Sequence, residues 1–145
     1  MNSAPLGPNV SQLSVEIETS RATIMNYIKY LKDARLLNLL YTEGEEFPKK
    51  PKQIYVQNTN LMYCVFPEKI DKETERKTFF YNALHAKHKV NLSRNQIDFT
   101  IDQHYHFRCE NKNQQKNTTK TYFAVDDIEI GNKNEIPLWL FGFLY

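Results

Sequence analysis

Residues 9–34, NVSQLSVEIETSRATIMNYIKYLKDA, decide how the rest of the chain is read. Asn9 follows Pro8 and is a good helix N-cap. Val10, Leu13 and Ile17 then recur at i, i+3 and i+7, one apolar stripe on a short helix. Glu18-Thr19 interrupts the stripe. Ser20 is a second N-cap, opening a helix from Arg21 to near Ala34 with Ile24, Tyr27, Ile28, Leu31 and Ala34 as its expected buried face. Arg21, Asn26, Lys29, Lys32 and Asp33 fall largely on the other side. Two helices joined by so short a turn have helix-turn-helix spacing.

Working outward, residues 36–41 are apolar, 42–52 are polar, and 53–57 alternate through Ile54 and Val56. Two strands around a charged loop predict a hairpin, with Pro48 and Pro51 keeping its tip irregular. Residues 1–57 therefore read as a winged helix. In that fold the N-terminal turn of the second helix meets base edges in the major groove. The side chains on offer are Ser20, Arg21, Thr23, Asn26 and Lys29, of which Arg and Asn can bond base edges bidentately. Lys49, Lys50 and Lys52 in the loop can neutralise phosphates. Glu43, Glu45 and Glu46 in the same loop oppose that use, and a winged helix equally serves to pack on protein.

Residues 58–145 read as a helix followed by four strands. Asp71 or Thr74 caps a helix reaching Lys87, with Phe79, Phe80, Ala83 and Leu84 inward. Short β-like segments follow at 89–92, 96–102, 104–109 and 121–125, the last after a polar connector, 111–120. That order, a helix, a three-stranded meander, a connector and a fourth strand, is the order of a restriction-endonuclease-like core. The fold class expected is α+β: an N-terminal winged helix-turn-helix, then a small nuclease-like α/β domain. Such a core holds Mg²⁺ through carboxylates, with a lysine that orients water. Asp98, Glu110 and Lys112 are the candidates, and strand spacing sets Glu110 and Lys112 on one face. The bland alternative is three solvated charges beside a hairpin. His85, His88, His104 and His106 could ligate a transition metal with Cys109 or Glu110, but read more simply as surface histidines.

Composition narrows the function further. The 145 residues contain 4 glycines and neither a G-x-x-x-x-G-K-[ST] nor a G-x-G-x-x-G segment, which excludes a phosphate loop or dinucleotide fingerprint in this chain. Cys64 and Cys109 are the only cysteines, expected to be free, mostly buried and without a disulfide. The longest apolar run, 136–145, is too short to span a bilayer, and the first ten residues do not resemble a signal peptide, so a cytoplasmic protein is expected. The net charge of +2 divides into −2 over residues 1–48, +7 over 49–120 and −3 over 121–145. A basic middle suits nucleic acid, although acids interspersed in it also suit a solvated face.

The segment SAPLGPNVSQLSVEIETSRATIMNYIKYLKDARLLNLL (3–40) resembles the winged helix that follows the ATPase module of bacterial and archaeal AAA+ ATPases. These are the members carrying a C-terminal domain of restriction-endonuclease-like fold. IYVQNTNLMY (54–63), RKTFFYNAL (76–84), IDFTI (97–101) and FAVDDIEIGNKNEIPLWLFGFLY (123–145) extend the resemblance, the last to members common in Bacteroidetes. It implies a C-terminal piece of a longer protein whose ATP and Mg²⁺ belong to an upstream module. No cofactor is then expected in this chain, and Mg²⁺ only if the nuclease site is intact. A preceding helix is implied as well, and its absence would uncover part of Leu13, Ile24 and Ile28. The resemblance leads to glycine where Glu18 and Arg35 stand, and to carboxylates where Lys77 and Arg108 stand. Those two basic residues would repel Mg²⁺. The expectation is a non-catalytic regulatory or recognition module, binding double-stranded DNA, a protein partner or its own ATPase module. The alternatives are a metal-dependent nuclease using Asp98, Glu110 and Lys112, and a stand-alone winged-helix DNA-binding regulator.

Overall fold

Helix α1 (Val10–Glu16) begins where the Asn9 side chain accepts from the Gln12 amide, and α2 (Arg21–Asp33) where Ser20 accepts from the Thr23 amide. The computed structural model describes residues 8–68, 70–93, 97–111 and 120–144. Both helices end in the same way. After α1, Thr19 N–H donates to the Ser14 carbonyl (2.9 Å) and Glu18 N–H to that of Val15 (3.2 Å). After α2, Leu36 N–H donates to Leu31 and Arg35 N–H to Lys32, both at 2.9 Å. These are Schellman closures, which put the residue past the cap at positive φ. Glu18 (φ 50°) and Arg35 (φ 57°) adopt that glycine conformation with full side chains.

The buried face of α2 is narrower than its periodicity suggests. Ile24 and Ile28 are buried against Val10 and Leu39, with Leu13, Met25, Tyr41 and Ile54 partly buried around them. Tyr27 (50% exposed), Leu31 (41%) and Ala34 face solvent instead, and so does Tyr30. Residues 27, 31 and 34 lie about 40–100° round the helix from the 24/28 line, and one short helix plus one strand cannot cover so wide a stripe. Of the three residues expected to be partly uncovered, Ile24 and Ile28 are buried and Leu13 is only partly so; the exposed apolar groups here include Val15, Ile17, Tyr27, Tyr30, Leu31 and Leu36.

Strands β1 (Leu37–Leu40) and β2 (Gln53–Val56) form an antiparallel hairpin, pairing Leu37 with Val56 and Leu40 with Gln53. A helix not foreseen follows: α3 (Thr59–Val65), capped by Asn58, which accepts from the Leu61 amide. Helix α4 (Lys72–Leu84) is capped by Asp71, which accepts from the Thr74 amide. Then come β3 (Val90–Leu92), β4 (Phe99–Ile101), β5 (Tyr105–Glu110), β6 (Tyr122–Val125) and β7 (Glu135–Pro137), adjacent in that order. Strands β3, β4 and β5 run antiparallel; β5, β6 and β7 run parallel. The molecule is thus of mixed α+β class, with a two-stranded and a five-stranded sheet. Most of the polar connector, 112–119, lies outside the described residues. A short 3₁₀ helix, Leu138–Leu144, closes the chain over α4.

Phe80 is the centre of the larger core. Its ring stacks on Phe99 (5.3 Å between centroids), tilts against Phe107 (5.2 Å) and meets Phe141 edge-on (4.8 Å). Leu40 and Tyr55 of the hairpin are buried in this same core. Tyr55 stacks on Tyr81 (5.7 Å), whose hydroxyl donates to the Leu39 carbonyl (3.2 Å). The Leu92 amide donates to the Tyr41 carbonyl at 2.8 Å, tying β3 to the hairpin. Cys109 is buried as expected, whereas Cys64 is exposed on α3; both are free. No helix among the described residues is long and apolar enough to cross a membrane.

Candidate functional site

Three acidic residues come to one end of the five-stranded sheet through strand pairing. Asp98 leads into β4, with its N–H donating to the Phe107 carbonyl (3.1 Å) and its Oδ2 accepting from the Cys109 amide (2.8 Å). Glu110 ends β5. Asp126 follows β6, and its N–H donates to the Glu110 carbonyl at 3.0 Å. The first turns of α4 reach the same end. Lys77 Nζ lies 2.9 Å from Asp98 Oδ1 and also donates to Glu73, one turn earlier on the helix. Arg108 Nη2 lies 2.8 Å from Glu110 Oε1 on the same strand face.

Burial shapes the chemistry here. Desolvation would depress the Lys77 ammonium, but the Glu73 hydrogen bond and the Asp98 charge outweigh it, so its pKa sits above the ordinary value. The Cys109 thiol is pushed well above its usual range, first by burial and then by Asp98. It remains a neutral thiol, a poor nucleophile. A hard divalent cation needs convergent oxygen ligands. Asp98 and Glu110 instead each face a basic side chain within 3 Å. The donor set does not fit a divalent metal. Among the described residues no group of three or more His, Cys, Asp or Glu converges for one. Lys112, the third nuclease candidate, lies outside the described residues.

Each histidine is engaged within the chain, two of them at Asp102. His85 Nδ1 is 2.9 Å from the Asn82 carbonyl, His88 Nδ1 is 2.7 Å from Asp102, His104 Nδ1 is 2.6 Å from the Asp102 carbonyl, and His106 Nδ1 is 3.1 Å from the Thr100 hydroxyl.

The residues nominated for DNA divide into two groups. Arg21 and Asn26 are exposed on α2, and Lys50 is exposed in the hairpin loop. Ser20 and Thr23 spend their hydroxyls on each other (2.8 Å) within the cap. Lys29 Nζ sits 5.7 Å from the Phe47 ring centroid, a cation–π contact with the loop. Lys49 (3.8 Å) and Lys52 (3.7 Å) flank Glu45. The Thr42 hydroxyl, foremost, and then these lysines hold the Glu45 carboxyl below its usual range.

Sequence reasoning missed Glu73, Arg76, Asp126 and Trp139 at this end of the sheet. The i,i+4 spacing of Glu73 and Lys77 was an available signal. Asp126 had none, because only the β5–β6 pairing carries it beside Glu110. No protein-family model, curated protein or solved structure matches the chain.

Proposed function

We propose that this chain is a non-catalytic recognition module of the kind that follows the ATPase module of AAA+ proteins. In this reading residues 1–57 act as a winged helix that makes the contact, and the nuclease-like α/β unit is kept as a scaffold. One observation carries it: the two acidic residues at the sheet end that a nuclease would give to metal are each matched by a basic side chain, Lys77 on Asp98 and Arg108 on Glu110. Incubation of the protein with duplex DNA and Mg²⁺ or Mn²⁺ tests it. No cleavage is expected, and metal-dependent cleavage lost in Asp98→Ala would overturn the proposal.

The contact we favour is with protein. Tyr27, Tyr30 and Leu31 make an exposed apolar stripe on α2, and Lys29, Lys49 and Lys52 are already engaged within the chain. Contiguous exposed apolar groups mark protein contacts. Duplex DNA is the second reading, supported by the exposure of Arg21 and Asn26 at the start of α2. It predicts salt-dependent binding that weakens in Arg21→Ala, with the log–log salt slope falling by about 0.9 for each lost phosphate contact. Binding that ignores salt and this substitution would leave the protein contact standing alone.

A further inference from the structure

A cavity of about 270 Å³ opens between the start of α4 and the ends of β6 and β7. Lys72, Glu75, Arg76 and Phe79 wall it from α4, Thr59 from α3, and Asp126, Leu138 and Trp139 from the strand ends. Parallel strands commonly place their ligands just beyond their C-terminal ends.

The cations of this cavity differ in how they are held. Lys72 lies 2.7 Å from Glu75, which also takes the Tyr63 hydroxyl at 2.7 Å, so that pair is internally satisfied. Arg76 is not tied down. Its Nε is buried with no hydrogen-bond partner, and among the described residues its charge is felt by Asp71 and Glu75 without an ion pair closing within 4 Å. A half-buried guanidinium without an acceptor is costly to keep, and its planar fork matches a carboxylate or phosphate. The opposite wall is aromatic and fixed: the Trp139 indole N–H donates to the Ile128 carbonyl at 3.2 Å. Phe79 and Leu138 add an apolar floor.

We infer that this cavity is a binding site for an oxyanion, carboxylate or phosphate, carried on a flat apolar group. The oxyanion meets Arg76, and the flat group lies against Trp139 and Phe79. Asp126 across the cavity repels further negative charge, which limits the ligand to one anionic group. The inference does not depend on the recognition reading above.

Trp139 is the only tryptophan in the chain, so the tryptophan emission comes from this cavity wall. The full chain is titrated with phenyl phosphate, inorganic phosphate and benzylammonium. Phenyl phosphate is expected to give a saturable change and to bind more tightly than inorganic phosphate; benzylammonium is expected to give none. In Arg76→Met the phenyl phosphate affinity falls about tenfold or more. Arg76→Lys, which keeps the charge and loses the fork, falls between. In Asp126→Asn the affinity rises. Absence of a saturable response, an equal response to benzylammonium, or unchanged affinity in Arg76→Met would overturn the site. Equal affinity for inorganic phosphate would overturn the aromatic wall. If Arg76→Met does not fold, Asp126→Asn decides alone, and affinity that fails to rise overturns the site.

Discussion

Lys77 is held where burial opposes its charge, and that makes its contribution measurable. Its side chain is 15% exposed and that of Asp98 is 20% exposed, so the pair is only weakly screened. Removing one partner strands the other charge beside the Cys109 amide. Lys77→Met is expected to lose about 2–3 kcal/mol in urea unfolding, and a loss indistinguishable from that of an exposed lysine would refute the pairing. Alkali should act on the same neighbourhood. Burial raises Tyr81 to about 12, and raises Tyr55 and Cys109 as well. Each stays protonated in the fold after its unfolded counterpart has ionised. Groups raised on folding give stability that is full below the unfolded pKa and lost as pH climbs toward the folded one. Lys77 has the same sign. The unfolding free energy should therefore be level near neutrality and fall from about pH 9 upward, each group adding a slope of about 1.4 kcal/mol per pH unit once pH passes its unfolded pKa. Tyr81→Phe should flatten that fall, and an unchanged alkaline slope in this variant would count against the burial account. Little of this was visible in the sequence: Lys77 and Asp98 are 21 positions apart, and Arg108 and Lys77 stood out there only as basic residues where carboxylates were expected.

Helices α1 and α2 close on residues that do not suit their closures. Glu18 and Arg35 sit at φ 50° and 57°, where an L side chain is strained and glycine is not. Against that gain stands the extra freedom of glycine in the unfolded chain. Glu18→Gly and Arg35→Gly should each stabilise by about 0.5–1 kcal/mol, read as a rise in thermal midpoint. A fall in both would mean that the Schellman geometry is not populated. Asp71→Ala should do the opposite, losing about 1 kcal/mol with the cap of α4. The Thr74 amide, foremost, holds the Asp71 carboxyl below its usual range, so this contribution is present at neutral pH and fades as pH falls. Caps were legible at this scale because Asn9, Ser20 and Asp71 each bond an amide three residues away, a local event. The α2 face was misjudged because periodicity marks every apolar position, whereas burial depends on how much partner surface arrives. Strand β7 could not be read: its three residues gain their conformation from pairing with β6 residues twelve positions earlier.

At the scale of the molecule, the boundary drawn between residues 57 and 58 crosses a shared core. Leu40 is fully buried and Tyr55 is 3% exposed, both within the cluster built on Phe80 and Phe99. Tyr81 donates across the boundary to Leu39, and Leu92 to Tyr41. A piece comprising 58–145 would lose both hairpin side chains from its core. Removing one large core side chain costs about 2–5 kcal/mol, and an ordinary domain has only about 5–15 kcal/mol in total. The piece should therefore be unfolded or molten, without dispersed amide resonances. The full chain should unfold in one transition, with Trp139 fluorescence in the C-terminal segment and helical circular dichroism changing together. Two resolved transitions, or a well-dispersed spectrum from 58–145 alone, would show that the hairpin is an accessory to the larger core. If the transition is single, a partner that binds α2 stabilises the five-stranded sheet as well, by the linkage that raises the stability of any fold whose native state alone takes the ligand.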